Sequence, residues 1–257
     1  MPRYNWNISD LLSEADAMRM IRVARTKREV FLVSLLWLTG ARTGEICGLP
    51  NKGISGLRKK DIEFDDYILT IKLYTLKRGK SSKFQYRHRH LRFKREQGLN
   101  RSLFMDSIIK YAAMFDHGDD RLFPYSTRLL LDIINKLGVS ALEKPICPYH
   151  FRHSVMTYLA TAGYNQLELM YFKGSTSPNS VAPYLHARPF LVSIDRDHDI
   201  HPDPASRPYK TILPDIDELV EFARDNKETS KKVTKSNLEL KKTSDNATKP
   251  NPMDMFN

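Results

Sequence analysis

The feature that most constrains the fold of this 257-residue chain is a nine-residue run that is apolar almost throughout, Val30-Phe31-Leu32-Val33-Ser34-Leu35-Leu36-Trp37-Leu38. A helix that is apolar on every side must be covered by other elements on every side. The run is too short to cross a bilayer, which takes about 20 residues. We therefore predict a buried core helix, in a chain long enough for one sizeable domain with extensions or for two small domains.

An arginine follows directly after this predicted core helix, within Thr39-Gly40-Ala41-Arg42-Thr43-Gly44-Glu45-Ile46-Cys47-Gly48-Leu49. Arg42 lies on a turn that leads into a short second helix, so the core holds its charge rigidly, as a pre-organised site requires. Glu45 follows three residues later, on the same side of a helical turn, and can orient the guanidinium. The alternative interpretation is an ordinary surface arginine at a helix end.

A second group of reactive side chains lies between residues 148 and 186. It comprises Tyr149-His150-Phe151-Arg152-His153, an apolar helical run, Gly174, and finally Tyr184-Leu185-His186. A guanidinium fork matches phosphate oxygens, and a tyrosine hydroxyl that loses its proton is a covalent nucleophile. The combination suits chemistry on a phosphate, although a solvated helix end beside a half-buried tyrosine would contain the same residue types.

The net charge favours a polyanionic partner. The chain carries a formal charge of +11 with a pI near 9.5, which indicates nucleic acid rather than a membrane surface. We find neither a secretory signal nor an apolar run of the length a membrane span needs. The two cysteines, Cys47 and Cys147, are far apart in sequence, which argues against a disulfide framework or a cysteine metal site and fits a reducing cytoplasm.

The positive charge is concentrated in a predicted β-hairpin. Residues 67–73 and 84–91 have strand patterns and flank a polar turn at 77–83. Residues 68–101 contain eleven Lys or Arg and one acid, which predicts a ribbon that tracks a phosphate backbone. The residues predicted to contact DNA are Arg78, Lys80, Lys83, Arg87 and Arg89. His88 and His90 share a strand face, but no third ligand is evident, so we predict no metal site.

The remaining patterns predict further helices and a polar tail. Helices are expected at residues 9–25 with Ser9 as the N-cap, at 103–115, at 126–137 ending at Gly138, at 153–162, after the capping residue Asn165, and from Ser177-Pro178. Residues 199–214 are proline-rich and read as irregular. We expect a catalytic domain at residues 1–198, an extension with one amphipathic helix at 199–226, and a disordered tail at 227–257.

Together the motifs resemble those of the tyrosine recombinases, the phage integrase family. Residues 39–49 resemble the family's first arginine motif, residues 149–153 its second, and Gly174 with Tyr184-Leu185-His186 its nucleophile motif, in the family's order and spacing. The similarity covers roughly residues 8–190. It implies an α+β fold that is mostly α-helical, with a small antiparallel β-hairpin or sheet. The chain looks closest to members from archaea and their viruses.

The resemblance also implies a mechanism and partners. Tyr184 would attack a DNA phosphate to form a 3′-phosphotyrosyl link, and Arg42 and Arg152 would stabilise the transition state. Lys77 would protonate the leaving 5′ oxygen, with Lys80 and Lys83 as alternatives. Tyr149 completes the implied catalytic set, and the implied supporting residues are Glu45, His153 and Ser175. The partner would be double-stranded DNA, bound by a homotetramer at the nucleoid without cofactor or metal.

The chain departs from the family pattern at several places. Tyr149 stands where the family usually has histidine, Ser175 where it usually has His or Trp, and Pro183 directly precedes Tyr184. About forty residues precede Arg42, so we expect the family's N-terminal clamp domain to be missing. Two alternatives stay open: a type IB topoisomerase, and a catalytically impaired DNA-binding protein of the same fold.

Overall fold

The computed structural model describes residues 10–65, 67–75, 88–95, 100–175, 177–185 and 211–212. Within these ranges the helices are α1 (Glu14–Val23), α2 (Lys27–Thr39), α3 (Thr43–Cys47), α4 (Asn100–Ala112), α5 (Thr127–Leu142), α6 (Pro148–Thr161) and α7 (Gln166–Lys173). The strands are β1 (Ile62–Asp65), β2 (Ile68–Tyr74), β3 (His88–Lys94) and β4 (Thr211–Ile212). All of them belong to one compact unit, Met1–Pro214. The prediction of a mostly helical α+β fold with a small antiparallel sheet is confirmed.

The predicted core helix is α2. It begins with a capping box, in which Thr26 and Glu29 satisfy each other's backbone N–H groups, and every residue from Phe31 to Thr39 is buried. Helices α1, α4, α5 and α6 all pack against it. Burial on all sides explains why its sequence is apolar all round rather than amphipathic.

Several predicted helix boundaries are wrong. Helix α4 spans Asn100–Ala112 rather than 103–115, and α6 begins at Pro148 rather than at residue 153. Helix α1 begins at Glu14 rather than near Ser9, because Ser13 and Asp16 form the reciprocal capping box that starts it. Helix α5 continues through Gly138 to Leu142. A Cβ added at Gly138 would lie 2.5 Å from Ile146 Cγ1, so this glycine permits close packing inside the helix instead of ending it.

The sheet has the antiparallel order β1-β2-β3-β4. Strand β2 pairs with β3 so that Leu73 lies opposite Arg89 and Ile71 opposite Leu91. Both strands alternate between buried and partly exposed residues, which puts one face of the sheet against the core. The predicted irregular segment 199–214 contains the two-residue strand β4, which pairs with the outer edge of β3.

The C-terminal elements carry the second predicted group of reactive residues. Helix α6 begins at Pro148, in the first-turn position where the missing N–H of proline has no cost. Asn165 and Glu168 form the predicted capping box of α7. A 3₁₀ turn follows at Pro178–Ser180, and residues 182–185 are helical. Pro183 therefore lies in the first turn of this last segment, where it is tolerated. No helix in the described ranges is long and apolar enough to span a membrane.

Candidate active site

Arg42 lies at the junction between α2 and α3, where it is the N-cap residue of α3. Its Nη1 donates a hydrogen bond to Glu45 Oε1 at 2.7 Å, and its backbone N–H donates to Glu45 Oε2 at 2.9 Å. One carboxylate therefore caps the helix and orients the guanidinium. The contact between the Arg42 and Glu45 side chains, which their three-residue spacing predicted, is present.

Glu45 also binds a second arginine, from the sheet. Arg89 projects inward from β3 with only 2% of its surface exposed, and its Nη1 and Nη2 donate to the two Glu45 oxygens at 3.0 and 2.8 Å. Burial by itself would raise the pKa of the Glu45 carboxyl, but the charge and hydrogen bonds of Arg89, with Arg152 and Arg42 nearby, lower it to about 2. Glu45 is thus a permanent anion in the centre of a cationic cluster.

Arg152 lies on α6 and is buried. Its Nη1 donates to the Gly40 carbonyl oxygen at 2.7 Å, and its Nη2 donates to the Lys173 carbonyl oxygen. The guanidinium thereby joins the end of α2 to the end of α7. Burial, with Arg42 as a like-charged neighbour, lowers the pKa of Arg152 to about 9, which leaves it charged at neutral pH.

Tyr184 lies in the helical segment 182–185 and is 2% exposed. Its ring centroid is 5.3 Å from that of His153, and the Lys173 ammonium lies 4.8 Å from the ring centroid. Burial raises the pKa of the Tyr184 hydroxyl above its ordinary 10.0, while the charges of Arg152 and Arg42 oppose that rise. The phenol is therefore within electrostatic reach of both guanidinium groups.

Tyr149 and His153 form an aromatic pair at the start of α6. Tyr149 is 46% exposed, and its ring packs edge-on against that of His153 with centroids 4.1 Å apart. Burial and the cations Lys173 and Arg152 lower the pKa of His153 to about 4, so this imidazole is neutral at pH 7. His150 points away from this pair, as expected, because its Nδ1 accepts the backbone N–H of Cys147.

Ser175 begins the segment that leads from α7 to Tyr184. Its hydroxyl oxygen accepts a hydrogen bond from the Ser180 hydroxyl at 2.7 Å, and its backbone N–H donates to the Met170 carbonyl. Gly174 just before it has φ +63°, and a Cβ added there would lie 2.6 Å from Arg89 Nη1. Ser175 therefore stabilises the local turn, and Gly174 leaves room for the Arg89 guanidinium.

The predicted hairpin residues divide into two groups. Lys77, Arg78, Lys80, Lys83 and Arg87 lie outside the described residues. Arg89 was expected to face DNA, but its head is buried against Glu45. The signal was present in the sequence, since Arg89 is in phase with Leu91 and Phe93 on the buried face of β3.

Sequence reasoning also missed Lys173. Its carbonyl holds Arg152, its ammonium donates to the Ser180 carbonyl, and the same ammonium lies over the Tyr184 ring. No motif pointed to it, because its position depends on how α7 packs against the following turn. Across the described residues, no cluster of three or more His, Cys, Asp or Glu side chains could hold a metal ion.

Comparison with known proteins identifies the family of the chain. The profile of the Phage integrase family matches residues 9–189, so the chain belongs to the phage integrase family. Comparison with curated protein sequences gives no significant match.

Among solved structures, the chain is similar to XerA recombinase, with TM-score 0.53 and 21% identity over 78% of this chain and 67% of that one. It is also similar to XerH site-specific recombinase bound to a palindromic difH substrate in a post-cleavage complex, with TM-score 0.51 and 17% identity over 75% of this chain and 53% of that one. The chain thus spans about half the length of that XerH structure. Its fold is the tyrosine recombinase catalytic-domain fold.

Proposed function

We propose that the protein is a site-specific DNA recombinase or integrase that cuts and rejoins double-stranded DNA through a 3′-phosphotyrosyl intermediate. The observation that carries the proposal is how Arg152 links Arg42 and Tyr184. It donates to the carbonyl of Gly40, two residues before Arg42. It also donates to the carbonyl of Lys173, whose ammonium lies 4.8 Å from the Tyr184 ring centroid. A phosphate bound between the guanidinium groups would replace their mutual repulsion with two favourable charge pairs. The expected setting is a tetramer on DNA at the nucleoid, and the resemblance to archaeal and archaeal-virus members remains a prediction from the sequence.

In the proposed reaction, Tyr184 Oη attacks the scissile phosphorus and the bond from phosphorus to the 5′ oxygen breaks. Arg42 and Arg152 stabilise the charge that develops on the non-bridging oxygens. Neutral His153 can accept the phenolic proton, and a hairpin lysine, with Lys77 as the first candidate, protonates the departing oxygen. Rejoining is the reverse reaction with a 5′ hydroxyl of another strand, and the ester energy is retained in the phosphotyrosyl bond.

The test uses a pool of nicked DNA duplexes with randomised sequence around the nick. After cleavage the short strand carrying the 5′ hydroxyl diffuses away, so the covalent adduct accumulates and is counted on a denaturing gel. Wild type is expected to form the adduct and Tyr184→Phe to form none. Tyr164→Phe is the matched control, because Tyr164 is another tyrosine with 2% exposure and is expected to leave adduct formation intact. An adduct formed by Tyr184→Phe would contradict the assignment of the nucleophile.

The lysine that acts as general acid is identified by changing the leaving group. DNA with sulfur in place of the scissile 5′ oxygen releases a thiolate, which needs no protonation because a thiol has a pKa of about 8.5. Replacing the true general acid by alanine is expected to slow cleavage of ordinary DNA and leave cleavage of the sulfur substrate close to wild type. Lys77→Ala, Lys80→Ala and Lys83→Ala are compared in this way.

A second candidate function is sequence-specific DNA binding without cleavage. It is favoured by the buried Tyr184 hydroxyl with its raised pKa, and by Tyr149 in place of a histidine. DNA selected from the same pool by binding alone, with no covalent adduct formed by wild type, would support this function.

A further inference from the structure

Arg89 has no part in the proposed reaction, yet it is buried and shares the Glu45 carboxylate with Arg42. We infer that Arg89 is a positioning residue that, through Glu45, fixes the direction of the Arg42 guanidinium. The inference rests on the proposed function, in which Arg42 and Arg152 touch the phosphate. Arg89 would be a third arginine of the site that does not touch it.

The hydrogen bonds of Glu45 are divided evenly between the two arginines. Oε1 accepts from Arg42 Nη1 at 2.7 Å and from Arg89 Nη1 at 3.0 Å, and Oε2 accepts from the Arg42 backbone N–H at 2.9 Å and from Arg89 Nη2 at 2.8 Å. A carboxylate has about four acceptor sites. Any rotation that improves the bonds to one arginine therefore weakens the bonds to the other, so the orientations of the two side chains are coupled.

Charge gives Arg89 a second effect on the same site. With only Arg42 and Glu45 present, the buried carboxylate would neutralise the arginine and compete with phosphate for it. Both carboxylate oxygens of Glu45 also accept hydrogen bonds from Arg89. The two arginines and one glutamate therefore keep a single net positive charge. Arg42 can then bind a phosphate while it stays in contact with Glu45.

Packing against the end of α7 also restrains Arg89. A Cβ at Gly174 would lie 2.6 Å from Arg89 Nη1 and 3.3 Å from Thr75 Oγ1, so the backbone after α7 closes directly over the guanidinium. The same end of α7 accepts a hydrogen bond from Arg152 and leads into the segment that contains Tyr184. Arg89 therefore lies between α3, which carries Glu45, and the turn that precedes the nucleophile.

The decisive variant is Arg89→Lys, which keeps the charge but loses the two-pronged contact with the carboxylate. Its control is Arg58→Lys, at an arginine whose ion pair with Asp119 shares no residue with the site. Adduct formation is followed in single turnover on DNA recovered from the wild-type pool reaction, at a temperature where circular dichroism shows every variant folded. We expect Arg89→Lys to be about 10- to 100-fold slower, as for a catalytic group that is slightly misplaced, with the DNA Kd unchanged, and Arg58→Lys to match wild type.

Two further measurements separate positioning from a general structural effect. If Arg89 acts through Arg42, adding Arg89→Lys to an Arg42→Lys background slows the reaction less than about twofold further. If the fold reductions in rate of the two single variants multiply in the double variant, the inference is overturned. It is also overturned if Arg89→Lys reacts at the wild-type rate.

A readout without DNA keeps the inference testable if wild type forms no adduct and the proposed function fails. It is the ¹⁵N–¹H signal of the Arg42 side-chain Nε, assigned by its loss in Arg42→Lys. This signal is expected to shift in Arg89→Lys and to stay in place in Arg58→Lys. An unchanged Arg42 signal in Arg89→Lys overturns the inference whatever the activity.

Discussion

Gly174 closes the space behind Arg89, and replacing it with alanine should destabilise the protein through two separable effects. The backbone there has φ +63°, and a left-handed alanine costs about 1 kcal/mol once the stiffer unfolded chain is counted. The added Cβ would also lie 2.6 Å from Arg89 Nη1 and 3.2 Å from Arg89 Cζ. Since Glu45 holds that guanidinium in place, the overlap should cost about 1–3 kcal/mol more.

Gly53→Ala is the matched control, because Gly53 has φ +67° and no described atom lies within 4 Å of its added Cβ. This variant carries the backbone cost alone. For a domain of this size, about 1 kcal/mol lowers Tm by about 3 °C. We therefore expect a loss of about 3 °C for Gly53→Ala and about 9 °C for Gly174→Ala, with both transitions followed by circular dichroism.

The result that would refute this reasoning is an equal loss of Tm in the two variants. The Arg89 guanidinium would then move aside freely, and the close packing of the α7 end on β3 would have no energetic consequence. Adduct formation gives a second comparison, since displacement of Arg89 should slow Gly174→Ala and leave Gly53→Ala unaffected.

Three other expectations concern the charged and titrating groups of the site. The pKa of Glu45 is about 2 in the folded protein and 4.5 ordinarily, so the stability that its charge contributes is present above pH 4.5 and lost as the pH falls towards 2. Urea unfolding should show this as a loss on the order of 3 kcal/mol in the free energy of unfolding across the same window. The loss should be absent in Glu45→Gln. The pKa of His153 is depressed to about 4 from 6.5, so its NMR signal, assigned with His153→Gln, should not titrate near pH 6.5, and stability should fall as the pH drops below 6.5. Arg152→Lys should lose about 2 kcal/mol in urea unfolding, because an ammonium cannot reach the Gly40 and Lys173 carbonyls together in the way the fork does. An Arg152→Lys variant as stable as wild type would show that these two bonds contribute little.

The helical core could be predicted from local patterns. The burial of α2 followed from its apolar run, and the capping box of α7 followed from the three-residue spacing of Asn165 and Glu168. Both features depend on residues within a few positions of each other, so the chain encodes them locally. The end of α5 at Gly138 was predicted by the same reasoning and was wrong, because Ile146 packs on that glycine from outside the helix.

The candidate site residues Arg42, Arg152 and Tyr184 were proposed from sequence patterns, since each occurs in a recognisable motif. Their contacts did not follow. Arg89 was assigned to a DNA-facing surface because positive charge surrounds it in sequence, whereas its position on β3 turns it towards Glu45. Lys173 belongs to no motif, so no local pattern indicated its role.

The sequence by itself determined that α2 is buried, where α5 and α7 begin, and which residue types are present for phosphate chemistry, because these depend on periodicity and on short spacings. Only the tertiary structure decided that one carboxylate is shared by Arg42 and Arg89, and that Arg152 joins the ends of α2 and α7. The physical reason is that a buried charge is stable only where partners from distant segments meet it. Such partners are chosen by packing, which no local pattern records.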